Sequence, residues 1–340
     1  MQRPRLLLFA AAIAAASIVP LTMSAADWKT PRTPWGDPDL QGVWSTAAEM
    51  STPFERPASF GTRQKLTDAE FEQRLKQIAT PGIFAGAATD PPSHWIERSD
   101  VTRNTSVVID PPDGRLPPIS AEGRQRASAG PAPFGNGPFD GPEDASQWVR
   151  CITRGGLPGV MFPTVYNANA RILQGPGYVA ITYEMIHDTR VIPTDGRQHA
   201  GAALRQHFGD STGRWDGDTL VVDVTNFNGK VTFRGSSQAL HLIERFRRIE
   251  KDVVRYEVTV DDPATWPTPW TAALDMRRQP GGMFEYACQE GNYALYEHAA
   301  GHRGSRTRSS VSARRRKCYV ARSDEMVGAR ARSSRRLRLR

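Results

Sequence analysis

Short strand-like runs separated by tight turns dominate the chain from about residue 150 onward, and this alternation constrains the fold most strongly. The clearest pair is residues 214–215 and 218–224, joined by Asp216-Gly217. Asp-Gly supplies the positive φ that a type I′ hairpin turn requires. Further runs of this kind span residues 170–173, 178–185, 189–192, 240–248, 253–260, 270–276 and 283–286. Successive strands with short turns predict a mainly β fold, a single antiparallel β-barrel that closes on itself.

The N-terminal half has fewer apolar runs and more Pro and Gly. Thr67 and Glu70 have the spacing of a capping box, and apolar residues follow at near-helical spacing, which predicts one short helix over about 68–79. One strand is predicted at 105–110 within long loops. We expect residues 27–150 to wrap a core barrel formed by residues 151–303, as parts of the same globular domain.

The first 26 residues have the pattern of a secretory signal peptide. Arg3 and Arg5 precede an apolar run over 6–19, and small residues at 24–26 form a cleavage site. The apolar run is shorter than a membrane span. We therefore predict a periplasmic or secreted protein without a membrane span.

The formal net charge of +8 arises from the C-terminal end of the chain. Residues 301–340 hold 14 of the 44 Lys and Arg and 2 of the 36 Asp and Glu, so this end carries +12 and residues 1–300 carry −4. Residues 304–340 lack an apolar period, and we expect a basic disordered tail that resembles out-of-frame translation. A basic tail is able to bind nucleic acid, but the acidic body predicts no nucleic-acid partner.

Two cysteines lie in the body of the chain, Cys151 and Cys288, and Cys318 lies in the tail. Oxidation is the default state of cysteine pairs in exported proteins, so we expect Cys151 and Cys288 to form a disulfide. Two free buried thiols are the alternative.

Several distinctive motifs follow one another along the chain: DLQGVW, PPDGR, GLPG, EMIHDTR, GDSTGRWDGDTLVVDVTNFN, FRGSS, LHLIERF and EYACQEGNYAL. With these motifs in this order, the chain resembles, over about residues 27–303, a family of exported bacterial proteins of lipocalin-like type and unknown activity. Gly42-Val43-Trp44 is also similar to the Gly-x-Trp on the first lipocalin strand. The resemblance implies export and a lipocalin-like barrel. It implies no catalytic residue.

Acid–base chemistry has four candidate residues, His187, Asp188, His241 and Glu244. A histidine in a barrel mouth can act as a general base near neutral pH. The hypothesis is that His187 and His241 converge in the cavity, with Asp188 or Glu244 orienting one of them. His241 and Glu244 point to opposite faces of an extended strand, which weakens that pairing. The alternative is that each histidine makes a structural hydrogen bond at a strand end.

Other polar and aromatic residues are candidates for substrate binding. Arg190 is the expected anchor for a substrate, and the remaining candidates are Arg234, Trp215, Tyr183, Glu290 and Asn292. Arginine recognises carboxylates, and aromatic rings line apolar pockets. Salt bridges and core packing are the structural alternatives for these residues.

Metal and cofactor motifs are weak in this sequence. Imidazoles at 187, 199, 207 and 241 are possible metal ligands, but none has tight ligand spacing, so we predict no metal. Gly209 to Gly213 matches G-x-S-x-G without the strand and helix that a nucleophile elbow needs. No Walker motif or βαβ alternation occurs, and we predict no cofactor.

The partner expected from these features is a small molecule. The first hypothesis is hydrolysis or elimination on a small apolar or aromatic molecule. The second is a non-catalytic periplasmic binding protein for a lipophilic ligand. The third is a structural or partner-binding envelope protein.

Overall fold

The structure, a computed structural model, describes residues 28–79, 97, 101–130, 141–230, 232–290 and 292–293. The predicted signal peptide (1–26) and basic tail (304–340) lie outside the described residues. All of the strands and both helices considered below fall within these ranges.

Ten strands form one antiparallel sheet that curls into a nearly closed barrel. They are β1 (Gly42–Ser45), β2 (Val108–Asp110), β3 (Asn169–Gly175), β4 (Tyr178–Tyr183), β5 (Thr189–Pro193), β6 (Asp210–Asp216), β7 (Thr219–Thr225), β8 (His241–Glu250), β9 (Val253–Asp261) and β10 (Trp270–Arg278). The strand order is β5-β4-β3-β1-β10-β9-β8-β7-β6, and β2 also pairs with β10. The prediction of a single antiparallel β-barrel is confirmed.

Alternating burial along the strands fills the barrel with side chains. In β8, Leu242 and Phe246 are fully buried, whereas His241 and Arg245, the residues that precede each of them, reach solvent. Two tryptophans, Trp44 and Trp270, are also fully buried in the same core. The barrel interior is therefore a packed core, and any ligand site must lie at one of its ends or outside it.

The N-terminal region contributes to the barrel wall as well as wrapping it. Strand β1 lies between β3 and β10, with Trp44 opposite Ala170 and Arg278. Strand β2 pairs with the other end of β10. Strands β1 and β2 therefore belong to the same sheet as the C-terminal strands.

Two α-helices lie in the described part of the chain, one more than the sequence predicts. Helix α1 (Asp68–Ala79) has the predicted capping box, in which the Thr67 amide donates to Glu70 at 2.8 Å. Helix α2 (Ala121–Ala129) begins after Ser120, whose hydroxyl accepts from the Gly123 amide. The α2 sequence AEGRQRASA has no large apolar residue, so it shows no helical period of apolar side chains from which a helix could be predicted. The strand predicted at 283–286 is irregular in the structure.

The barrel closes between β5 and β6 through close packing at Gly213. A Cβ atom built on Gly213 would lie 2.9 Å from Ile192 Cγ2 and 3.0 Å from Thr194 Cγ2. The missing side chain lets the two end strands approach each other.

Gly213→Ala is therefore expected to lower the free energy of unfolding by about 1–3 kcal/mol, because the added methyl overpacks this contact. Denaturant titration measures the change. Gly201→Ala is the control, since nothing lies within 4 Å of a Cβ built at Gly201. Equal stability of the two variants would show that the closure does not depend on Gly213.

Candidate functional site

One end of the barrel carries a cavity, where β1 and β4 end and β3 begins. It encloses about 20 Å³, room for one water-sized group, and widens into about 400 Å³ that is partly continuous with solvent. The irregular segment between Arg154 and Ala168 forms its other wall. The lining residues are Thr46, Arg154, Val160, Met161, Phe162, Thr164, Asn167, Ala168, Asn169, Ala170, Tyr183 and Met185.

Four polar atoms on side chains that line this cavity are buried and have no hydrogen-bond partner within the described ranges. They are Arg154 Nε, Thr164 Oγ1, Asn169 Oδ1 and Tyr183 Oη. Thr164, Asn169 and Tyr183 are only 9%, 6% and 3% exposed. Leaving such a group unpaired costs about 1–3 kcal/mol. Their concentration around one cavity indicates a site for a bound polar group.

The orientation of the Asn169 amide is fixed by a buried carboxylate. Asn169 Nδ2 donates to Glu184 Oε2, and Glu184 Oε1 accepts from the Phe284 amide at 2.8 Å. Because a carboxylate accepts here, the nitrogen of Asn169 must face Glu184. Oδ1 is therefore the atom left unpaired, and it requires a donor.

Arg154 supplies a cation to the cavity wall. Its guanidinium lies 5.3 Å from the centre of the Trp148 ring, and no ion pair with a carboxylate forms in the part of the chain that the structure describes. Burial lowers the pKa of Arg154, with Tyr166 and Tyr286 opposing that effect. A partly desolvated cation of this kind favours an anionic partner.

Tyr183 connects the cavity to the centre of the barrel. Its ring stacks on Phe208 with centroids 5.9 Å apart. Burial raises the pKa of Tyr183, whereas the nearby Arg190 guanidinium lowers it, and the net shift is upward. The Tyr183 hydroxyl therefore stays protonated and able to donate, although it makes no hydrogen bond of good geometry to Arg190.

Arg190 and Glu244 form a buried ion pair inside the barrel. Arg190 donates to Glu244 Oε2 at 2.6 Å and to Oε1 at 3.0 Å, and the Tyr256 hydroxyl donates to Oε1 at 2.8 Å. Burial lowers the pKa of Arg190, but Glu244 outweighs that effect and raises it. The structure therefore pairs these two candidate residues with each other, and the carboxylate beside His241 is Asp223 rather than Glu244.

His241 lies on the outer face of the barrel, away from the cavity. Its Nε2 is 3.0 Å from Asp223 Oδ2, and His199 contacts the other oxygen of Asp223 at 3.0 Å and Asp210 at 2.9 Å. This cluster attaches the loop after β5 to the outer surface of β6–β8. The partner of His241 is therefore Asp223, a residue the sequence did not single out.

His187 and Asp188 lie in the turn between β4 and β5. His187 ends a 3-10 turn with φ of 47° and its Nδ1 lies 3.1 Å from the Tyr286 carbonyl oxygen. Asp188 Oδ1 accepts from the Thr189 amide, and burial raises the pKa of Asp188 against the effects of His207 and His187. His187 therefore contacts the C-terminal segment, whereas His241 contacts Asp223 on the outer face.

The remaining predicted binding residues are dispersed. Arg234 is exposed and lies 3.9 Å from the centre of the Phe54 ring, and Trp215 lies next to the β6–β7 turn at the opposite end of the barrel. Glu290 is exposed. Asn292 donates to the Val149 carbonyl at 2.6 Å. Of this group, Tyr183 alone lines the cavity.

The predicted disulfide is confirmed between Cys151 and Cys288, with Cα atoms 5.8 Å apart. It joins the segment that leads into Arg154 to the C-terminal segment that contacts Glu184 and His187. The disulfide therefore braces the wall of the cavity.

Two further properties concern only the described ranges. No group of three or more His, Cys, Asp or Glu side chains there is arranged to hold a metal ion. No helix there combines the length and apolarity needed to cross a membrane.

Arg154, Thr164 and Asn169 were not among the residues predicted from the sequence. The charge pattern is the one sequence feature that distinguishes this region, because residues 145–183 contain three arginines and no aspartate or glutamate. A stretch without acidic partners leaves its arginines free for another anion. Charge patterning along the loop therefore pointed to Arg154, whereas strand periodicity did not.

No protein-family model matches the chain, and no curated protein matches it. Among solved structures, a secretary abundant heat soluble (SAHS) protein from Ramazzottius varieornatus is similar at a TM-score of 0.23 and 9% identity, covering 33% of this chain and 70% of that one. A TM-score this low does not establish a common fold. The β-barrel assignment rests on the strand pairing.

Proposed function

We propose that this protein is a non-catalytic, exported binding protein for a small molecule, with its site in the cavity between the barrel end and the segment carrying Arg154. The observation that carries the proposal is the set of four buried, unpaired polar atoms around one cavity. The signal-peptide pattern and the disulfide support export.

The lining favours a ligand with one polar end and one apolar end. The polar atoms belong to Arg154, Thr164, Asn169 and Tyr183, whereas Met161, Phe162 and Met185 offer apolar surface beside them. Ligand sites commonly combine an apolar lining with a few polar groups that fix orientation. The polar end would pair the four atoms while the apolar end lies against the methionines and the phenylalanine.

Binding is favoured over acid–base catalysis because the candidate catalytic residues are not gathered at one place. Glu244 is committed to Arg190, His241 contacts Asp223 on the outer face, and His187 contacts a backbone carbonyl. General acid–base catalysis requires these groups within reach of one substrate.

The test is a thermal-shift screen of the full chain against acidic, neutral and basic small organic molecules, followed by titration of the compounds that stabilise it. Thr164→Val should abolish or weaken binding. Trp215→Phe, at the other end of the barrel, should leave it unchanged. Absence of stabilising compounds, or compounds that bind Thr164→Val as tightly as the parent chain, would rule out this cavity as the site.

Thr164→Val also has an expected effect on the ligand-free protein. Because the Thr164 hydroxyl is buried without a partner, an apolar replacement of the same shape should leave the free energy of unfolding unchanged or raise it by about 1 kcal/mol. Urea unfolding of the ligand-free variant measures this.

Thr105→Val provides the matched control for that measurement. The Thr105 side chain is also buried, but its hydroxyl accepts from Arg56 Nε at 3.0 Å and donates to the Arg63 carbonyl at 2.7 Å. Its loss should cost about 1–3 kcal/mol. A comparable cost for Thr164→Val would mean that its hydroxyl serves folding.

A further inference from the structure

We infer that the ligand is a small organic acid whose carboxylate pairs with Arg154 and whose neighbouring O–H or N–H group donates to Asn169. This inference rests on the proposed function and specifies the chemical class of the ligand.

The unpaired atoms define what the ligand must offer. Arg154 Nε only donates and Asn169 Oδ1 only accepts, so a ligand that pairs both atoms must carry an acceptor and a donor. The hydroxyl of Thr164 can add a further donor to the acceptor group. An acid with a hydroxyl or amino group on the adjacent carbon carries both functions.

The charge of Arg154 selects a carboxylate as that acceptor. Its guanidinium is half-buried and contacts the Trp148 ring instead of an acidic side chain. The Nε edge of arginine forms a planar fork that matches the two oxygens of a carboxylate.

Two carboxyl groups lie near the cavity and must be compatible with an anionic ligand. Glu184 is buried behind Asn169 and its oxygens accept from Asn169 Nδ2 and the Phe284 amide. Burial raises the pKa of Glu97, which favours its neutral form next to Ala168. Arg154 is therefore the charge most directly available to the ligand.

The experiment compares three probes on the full chain by isothermal titration. Mandelate has the acid and the adjacent hydroxyl, mandelamide replaces the acid by a neutral amide, and phenylacetate lacks the hydroxyl. Mandelate should bind about 10- to 100-fold more tightly than either analogue, because mandelamide lacks the negative charge that pairs with the Arg154 guanidinium and phenylacetate leaves Asn169 Oδ1 without a donor. Any acidic compound from the screen is compared with its own primary amide in the same way.

Arg154→Gln should remove the preference for mandelate over mandelamide, and Arg150→Gln, four residues earlier and outside the lining, should retain it. Mandelamide binding as tightly as mandelate, or screening compounds at the cavity that are exclusively neutral or basic, would overturn the organic-acid inference and leave the binding function standing. If no compound binds in a way that depends on Thr164, the proposed function fails and the inference fails with it.

Discussion

Replacing Glu244 by alanine is expected to lower the free energy of unfolding by about 3–5 kcal/mol, because it leaves the Arg190 guanidinium charged and unpaired inside the barrel. The Glu244 side chain is fully buried and that of Arg190 is 6% exposed. The Tyr256 hydroxyl would lose its acceptor as well. Because the pair is buried, the Arg190 guanidinium would lose its carboxylate partner without gaining full contact with water.

Urea unfolding of Glu244→Ala measures this loss, and a triple variant identifies its cause. Arg190→Met, Glu244→Leu and Tyr256→Phe together remove all three polar partners, so most of the lost stability should return. Glu257→Ala breaks the half-exposed pair with Arg255 and should cost about 1 kcal/mol or less. A loss of that small size for Glu244→Ala would contradict a buried ion pair.

Removing the disulfide by Cys151→Ser with Cys288→Ser is expected to cost about 2–5 kcal/mol. The two cysteines are 137 positions apart, so the bond strongly restricts the unfolded chain. Ligand affinity should fall too, since the bond holds the segment that carries the Phe284 amide against Glu184, the residue that orients Asn169.

Unfolding curves and ligand titrations of the double serine variant test both effects. Cys318→Ser is the matched control, because Cys318 is outside the disulfide and its replacement should change neither quantity. Stability of the double variant within about 1 kcal/mol of the parent chain would show that the bond is dispensable for the fold.

Strand positions were predictable because they depend on local alternation and on turn chemistry. The predicted β6–β7 hairpin forms, although its turn is Gly217-Asp218 because Asp216 pairs with Thr219, and the capping box at Thr67 begins α1 as predicted. Helix α2 was not predicted, since it is held by its Ser120 cap and by Arg126, which donates to the Gly235 carbonyl. The two residues of that contact are 109 positions apart, so the contact produces no pattern in the local sequence from which a helix could be predicted.

The site was less predictable, because its residues come together from an irregular loop and from the ends of β1, β3 and β4. Tyr183 was identified, but for its aromatic character and without its position at the cavity. Arg190 and Glu244 lie on strands far apart in the sheet order, so their pairing across the interior has no signature in spacing. Arg154 lies in an irregular loop, where periodicity gives no information about neighbours.

The most direct measurement is a crystal structure of the full chain grown with the tightest-binding compound from the screen. We expect density for that compound in the cavity, with a ligand oxygen within hydrogen-bond distance of Arg154 Nε and a ligand donor within hydrogen-bond distance of Asn169 Oδ1. Density for the compound elsewhere, with only water pairing the four polar atoms of the cavity, would contradict it.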